Sequence, residues 1–208
     1  MKVLVVSAHP DDLEIACSGT LRRLQYQGAE ITSVITVHPS AEANPRRSLA
    51  IVEQELADSY RASEFELRML DTDLHDNGRP NLVANNVTMT RLAELIEPCD
   101  IAIIPNPEDS HQDHRATYEL AYPLVKNSAK EIWLMHSYPY LLTHPTNSAN
   151  LFYNITGDPW YFKQHLMSCY SSYIDDDYIE RVRLANQYTG LRANCELAEA
   201  FTIIKKNV

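Results

Sequence analysis

The feature that most restricts the fold is the opening run Lys2-Val3-Leu4-Val5-Val6-Ser7-Ala8, apolar at nearly every position and rich in β-branched residues. A strand with one wet face alternates apolar and polar side chains. A run without alternation is expected where both faces are covered, as in a parallel sheet lined by helices on each side. Residues 30–37 (EITSVITV) and 100–105 (DIAIIP) repeat the pattern, 131–137 (EIWLMHS) does so less cleanly, and 66–70 (ELRML) is a weaker candidate. Between them, 47–62, 85–97 and 115–127 have helical periodicity, as do 159–169 and 175–189, and 200–205 closes as a strand. Alternating β and α segments predict an α/β protein: a Rossmann-like, doubly wound, mostly parallel sheet with helices on both faces. The 208 residues suit one domain spanning 1–208, and the sequence contains no internal repeat, low-complexity tract or interdomain linker.

Composition removes several classes of function. Lys and Arg number 18 against 28 Asp and Glu, a formal charge of −10, so nucleic acid is not an expected partner. No apolar stretch approaches the roughly 18 residues of a membrane span. The apolar start leads directly into His-Pro-Asp-Asp without a small-residue cleavage site, which argues against a signal peptide. Cys17, Cys99, Cys169 and Cys195 are scattered and form no CxxC pair, as expected of thiols in a reducing compartment. A cytoplasmic location is the expectation.

In an open α/β sheet, ligands bind beyond the carboxyl ends of the strands. Two polar clusters occupy such positions: His9-Pro10-Asp11-Asp12 after the first strand, and Asn106 to His114 after the strand at 100–105. The dinucleotide reading fails, because no GxGxxG follows the first strand and the chain has only five glycines. If the two strands are neighbours, His9, Asp11 and Asp12 face His111, Asp113 and His114 across one crevice. Imidazole and carboxylate together suit zinc, and a catalytic zinc keeps three protein ligands and one open position. Two histidines and one carboxylate meet that count, leaving an acid and a base over. The plainer alternative is that His111–His114 only opens a helix, with Ser110 and Asp113 as a capping-box variant. The two readings are compatible, since a capped helix start also fixes ligand geometry.

The run Ala8-His9-Pro10-Asp11-Asp12-Leu13-Glu14, followed by Cys17-Ser18-Gly19-Thr20-Leu21, resembles the AHPDD(x)E…GGTL signature of the LmbE-like, or PIG-L, de-N-acetylase family. His111-Gln112-Asp113-His114, preceded by Pro105, Pro107 and Asp109, resembles its HxDH signature. Lys163 and Ser171 lie in a stretch like the family's K…S region, and Gly190 with Ala198-Glu199-Ala200-Phe201 is similar to its closing G…AEAF. The resemblance implies that His9, Asp12 and His114 bind one Zn²⁺, or another divalent metal in its place, and that Asp11 is the general base. It implies that His111, protonated, stabilises the oxyanion and serves the leaving nitrogen, while Asp113 orients a histidine. The implied reaction is removal of acetyl from an N-acetylated small molecule, an amino sugar or its conjugate, by metal-activated water. Relatives are often homo-oligomers. Ala16 and Ser18 depart from the pattern where many relatives carry glycine.

The family often has an arginine near the substrate after the second strand; here Arg46 and Arg47 are adjacent, and Arg47 is chosen. Asp73, beside Asp71 and His75, is a candidate for sugar hydroxyls, although a solvated turn at Asp76-Asn77-Gly78 explains it equally well. Tyr138, in the aromatic segment 136–145, is a candidate substrate wall. Glu14 either supports the site or complements the dipole of the next helix. Asp175-Asp176-Asp177 reads as a helix start, and His38 and His165 as structural. Two competing functions are a non-catalytic metal- or sugar-binding protein and a non-haem Fe(II) oxygenase using two histidines and a carboxylate. Asp11 and His111, which ligation alone does not need, argue against the first, and the βα alternation against the β-barrel host of the second.

Overall fold

The computed structural model describes residues 1–37, 48–72, 82–136, 138 and 149–206. Strands β1 (Lys2–Ser7), β2 (Glu30–Ile35), β3 (Glu66–Met69), β4 (Cys99–Ile104), β5 (Ala129–Met135), β6 (Leu151–Asn154) and β7 (Ala198–Lys206) build one sheet in the order β3-β2-β1-β4-β5-β7-β6. From β3 to β5 the strands are parallel; β7 runs antiparallel to β5 and β6. The helices are α1 (Asp12–Ala16), α2 (Ser18–Tyr26), α3 (Leu49–Ser63), α4 (Asn86–Ala93), α5 (Gln112–Ser128), α6 (Asp158–Ser168) and α7 (Asp176–Ala193).

The absence of alternation in β1 has the expected cause. Val3 and Val5 enter a cluster with Leu13, Leu21, Leu56 and Leu166, from α1, α2, α3 and α6. Leu4 and Val6 enter another with Leu92, Leu120 and Val125, from α4 and α5. Both faces of β1 are therefore dry, and a fully enclosed side chain such as Leu21 contributes about 1.5–3 kcal/mol relative to exposure. A third cluster, including Trp160, Tyr170, Ile179 and Val182, packs α6 and α7.

Helix ends follow from local chemistry. Ser48 caps α3, its side chain accepting from Ile51 N, and Asp175 caps α7 by accepting from Tyr178 N, with Asp176 and Asp177 in the first turn. At Gly190 a Cβ would stand 2.5 Å from the Glu196 carbonyl oxygen, so only glycine lets α7 lie this close to the chain entering β7.

Three departures from the sequence reading matter. The segment after β1 is two helices broken at Cys17, β6 was not anticipated, and α5 begins at Gln112 rather than 115, which takes His114 into its first turn. Among the described residues β6 is a four-residue edge strand paired with β7 alone, so its sequence carries too few positions for a period. The connections leave β1 toward β2 and β4 toward β5 in opposite directions, which makes the carboxyl ends of the adjacent β1 and β4 the switch point of the sheet.

Candidate metal centre

Both polar clusters meet at that switch point. The chain leaves β1 through His9 and Pro10, then turns sharply at Asp11, whose φ of 93° is unusual for a residue with a side chain. The turn sends consecutive carboxylates to different partners. Asp12 opens α1, and its Oδ2 accepts from the backbone N–H groups of Ala8 (3.1 Å) and His9 (2.7 Å). The Asp11 carboxyl is hydrogen-bonded by Tyr173, whose hydroxyl oxygen also lies 3.4 Å from the Pro10 carbonyl.

The second cluster is organised by Asp109, which is 3% exposed. Its Oδ1 accepts from His111 N at 2.8 Å, and its Oδ2 accepts from His114 Nδ1 at 2.8 Å. The N-cap of α5 is His111 rather than Ser110: the imidazole Nδ1 accepts from Asp113 N at 3.2 Å. The capping-box expectation was thus one residue early, because Asp109 holds the His111 N–H and turns its ring over the helix start.

Across the crevice, His9 Nε2 donates to Asp113 Oδ2 at 2.9 Å, and His9 Nδ1 lies 3.6 Å from Asp12 Oδ2. His114 Nε2 lies 3.2 Å from Asp12 Oδ1. Ring centroids of His9 and His111 are 4.8 Å apart, and those of His111 and His114 are 4.9 Å apart. Asp113 therefore holds the ring of His9. Asp109 does the same for His114, a pairing the sequence reading did not assign.

The donor set is of the kind that holds a divalent metal ion, and its spacing can be compared with that of a zinc site. Bonds of about 2.0–2.1 Å in a tetrahedron separate ligand atoms by about 3.3–3.4 Å. Asp12 Oδ1 lies 3.2 Å from His114 Nε2 and Asp12 Oδ2 lies 3.6 Å from His9 Nδ1, each near that edge length. Each of the two histidines gives its other ring nitrogen to a carboxylate, which orients the ring and turns the inward nitrogen toward Asp12. His111 offers a second possibility, since the ligating atoms of His9, His111 and His114 lie within 4.8 Å of one another. In the present arrangement, however, His111 Nδ1 is engaged by the helix, so its N–H sits on Nε2.

Charge follows the same geometry. Burial pulls His9 and His114 down, yet Asp113 and Asp12 lift His9 to about 9, and Asp12 and Asp109 lift His114 to about 10. Burial opposes ionisation of Asp12, but His114 and His9 outweigh it and hold the carboxyl far below its usual range. Burial and the charge of Asp12 push Asp11 well up. Burial and the two neighbouring histidines pull His111 down, which keeps it neutral near pH 7. The resemblance implies a protonated His111, whereas in the metal-free crevice this ring holds its proton less tightly than an ordinary imidazole.

The remaining candidates are dispersed. Tyr138 packs edge-on against Tyr178 of α7, with ring centroids 5.9 Å apart, within the third cluster. Arg47 and Asp73, with Arg46, His38 and His75, lie outside the described residues. His165 is exposed on α6. Glu14 is buried on α1 and accepts from Ser59 Oγ (2.6 Å) and Tyr170 Oη (2.8 Å), so it supports the site from below rather than serving a dipole. Tyr173 was missed: it stands 162 residues from Asp11 and no motif flags it. Among the described residues no helix is long and apolar enough to cross a membrane.

An open, mostly parallel sheet that gathers two oriented imidazoles and a carboxylate at its switch point, with further acid–base groups beside them, defines an α/β protein with the donor set of a metal centre. The chain belongs to the GlcNAc-PI de-N-acetylase (PIG-L) family, whose profile matches residues 4–125. It is 27% identical over 129 residues to YaiS of Escherichia coli, described as an uncharacterized deacetylase. That match covers 56% of this chain and 64% of YaiS, so the chain spans less than two thirds of that relative. The N,N'-diacetylchitobiose deacetylase of Pyrococcus horikoshii has the same fold, with a TM-score of 0.78 at 22% identity over 98% of this chain and 83% of the other. The 4-carboxy-2-hydroxymuconate hydratase of Pseudomonas putida also shares it, with a TM-score of 0.74 at 16% identity over 100% and 97%. One architecture thus hosts both hydrolysis and hydration, and the reaction has to be argued from the site.

Proposed function

We propose that the protein is a zinc-dependent N-deacetylase acting on an N-acetylated amino sugar or its conjugate. The observation that carries this reading is the convergence of His9, Asp12 and His114, each backed by its own hydrogen-bond partners, with Asp11 beside them. His9, Asp12 and His114 would hold the ion. When bound, zinc lowers the pKa of a coordinated water to about 7 and polarises the acetyl carbonyl.

The chain's own groups supply the rest. Asp11, pushed up by burial and Asp12, is a stronger base than an ordinary aspartate and takes a proton from the attacking water. Its αL turn and the Tyr173 hydroxyl hold the carboxyl in place. The neutral His111 presents Nε2–H to the oxygen on which charge develops. Because His111 starts neutral, the proton needed by the departing nitrogen comes from Asp11, which then returns to its basic form. Protons balance: water loses one to Asp11, and the amine receives it.

A purely metal-binding role requires neither the strained Asp11 nor the helix-anchored His111. The test is acetate release by the zinc-loaded protein from a panel of N-acetylated sugars and their conjugates, with Asp11→Asn as control. Release by the wild type, with the control still binding zinc but losing most turnover, is the expected result. Zinc binding without acetate release across the panel would favour the binding role, and equal release by the control would remove Asp11 as the base.

A further inference from the structure

The break between α1 and α2 poses a problem that a fully buried ion pair solves. Where one helix stops and the next begins inside a core, the last carbonyls of the first and the first N–H groups of the second lose their helical partners. Water cannot reach them here: Cys17 and Ser18, at the break, are fully buried. Lys163, from α6, donates from Nζ to the Ile15 carbonyl at 2.7 Å and to Glu199 Oε1 at 2.7 Å. Glu199, at the start of β7, accepts from Gly19 N (3.1 Å, Oε1) and Thr20 N (2.7 Å, Oε2). Both side chains are 0% exposed. A cation thus sits at the negative end of α1 and an anion at the positive end of α2, as the dipoles of both prefer.

This matters for the metal centre because α1 is only five residues long and begins with Asp12. One and a half turns cannot hold their own direction. The direction of α1 is set at its far end by Lys163 and along its side by Glu14, which Ser59 and Tyr170 grip. Gly19 is part of the device: a Cβ there would stand 2.9 Å from Ile155 Cγ2 and 3.2 Å from Glu199 Oε1.

We infer that Lys163 and Glu199 are positioning residues for the catalytic turn: the pair clamps the α1–α2 break and thereby aims Asp12 at the metal and Asp11 at the water. The inference rests on the function proposed above and extends it to two residues that touch neither metal nor substrate. Partners that orient metal ligands are worth about 10–100-fold in metal affinity, and a displacement of about 1 Å costs about a hundredfold in rate.

The test compares the wild type with Lys163→Met, Gly19→Ala and the neutral double variant Lys163→Met/Glu199→Gln. Zinc affinity, kcat and KM are measured on folded protein, together with thermal unfolding and the imidazole NMR signals of His9 and His114 without metal. Positioning predicts weaker zinc binding by about tenfold or more, a fall in kcat with little change in KM, and displaced ring signals. Removing both charges relieves the unpaired buried carboxylate, so the double variant regains thermal stability over Lys163→Met without regaining zinc affinity or kcat. Wild-type zinc affinity and kcat in a folded Lys163→Met, or their recovery along with stability in the double variant, would reduce the pair to a structural contact and overturn the inference. Should Lys163→Met not fold, Gly19→Ala and the double variant decide by the same readouts. Displaced ring signals in a protein whose wild type ignores zinc would keep the clamp and refute the zinc reading instead.

Discussion

Replacing Asp109 by Asn is the sharpest probe of the centre, because it alters no proposed ligand and little volume. The Asp109 carboxylate accepts two hydrogen bonds at 2.8 Å, from His111 N and from His114 Nδ1. An asparagine has one oxygen and one NH₂, so it can satisfy only one of them as an acceptor. If the oxygen stays on the His111 N–H, the amide NH₂ confronts His114 Nδ1. The ring must then accept at Nδ1 and carry its proton on Nε2, the atom 3.2 Å from Asp12 Oδ1 that is to bind metal. If the amide flips, the His111 N–H loses its partner and the start of α5 shifts. Either way the expected loss is about 10–100-fold in zinc affinity, or about 1.4–2.7 kcal/mol at 1.36 kcal/mol per decade. Competitive titration against a chromophoric zinc chelator at fixed pH measures it, with the folded state checked by circular dichroism. A folded Asp109→Asn that binds zinc as tightly as wild type would refute the reasoning that carboxylate-fixed tautomers build this site.

His111→Ala should lower kcat by about 100–1,000-fold while leaving zinc affinity and KM near wild type, the signature of an oxyanion donor rather than a ligand; a comparable loss of zinc would make His111 a ligand. His9 and His114 have folded-state values raised from 6.5 to about 9 and about 10, so their stabilisation of the metal-free protein is complete below about pH 6.5 and is lost as pH rises through 9 to 10. Thermal melts of chelated protein should therefore fall across that window, and a flat profile would contradict the pairing. Because metal must displace those protons, zinc binding should release protons and strengthen with pH, as calorimetry in buffers of different ionisation enthalpy will show. Chelation should lower the thermal midpoint, and restoring zinc at about 100 times its Kd should recover about 2.7 kcal/mol; an unchanged midpoint would mean that the site binds no metal.

Much of the fold was legible because its signals are local. The uninterrupted runs at 2–8, 30–37 and 100–105 became β1, β2 and β4, and the acidic start at Asp175 became the cap of α7. Other elements escaped for physical reasons. In β6, Leu151–Asn154 is stabilised by pairing with β7, a partner nearly fifty residues away, and no four-residue pattern announces that. The break at Cys17 depends on groups from α6 and β7, so the sequence there reads as one continuous segment.

The same division runs through the site. The residue types that gather at the switch point, and their place after two buried strands, follow from the sequence alone, since strand periodicity and the carboxyl-edge rule act over short stretches. Which carboxylate serves which histidine does not. Asp113 pairs with His9 rather than with its neighbour His111, Asp109 takes His114, and Tyr173 and Lys163 arrive from beyond residue 160. A hydrogen bond is decided by tenths of an ångström and by the direction of a ring, and those are properties of packed helices, not of spacing along a chain. The protonation states follow from that packing too: the neutral His111 and the raised Asp11 are set by burial and by charges that only the folded crevice brings together.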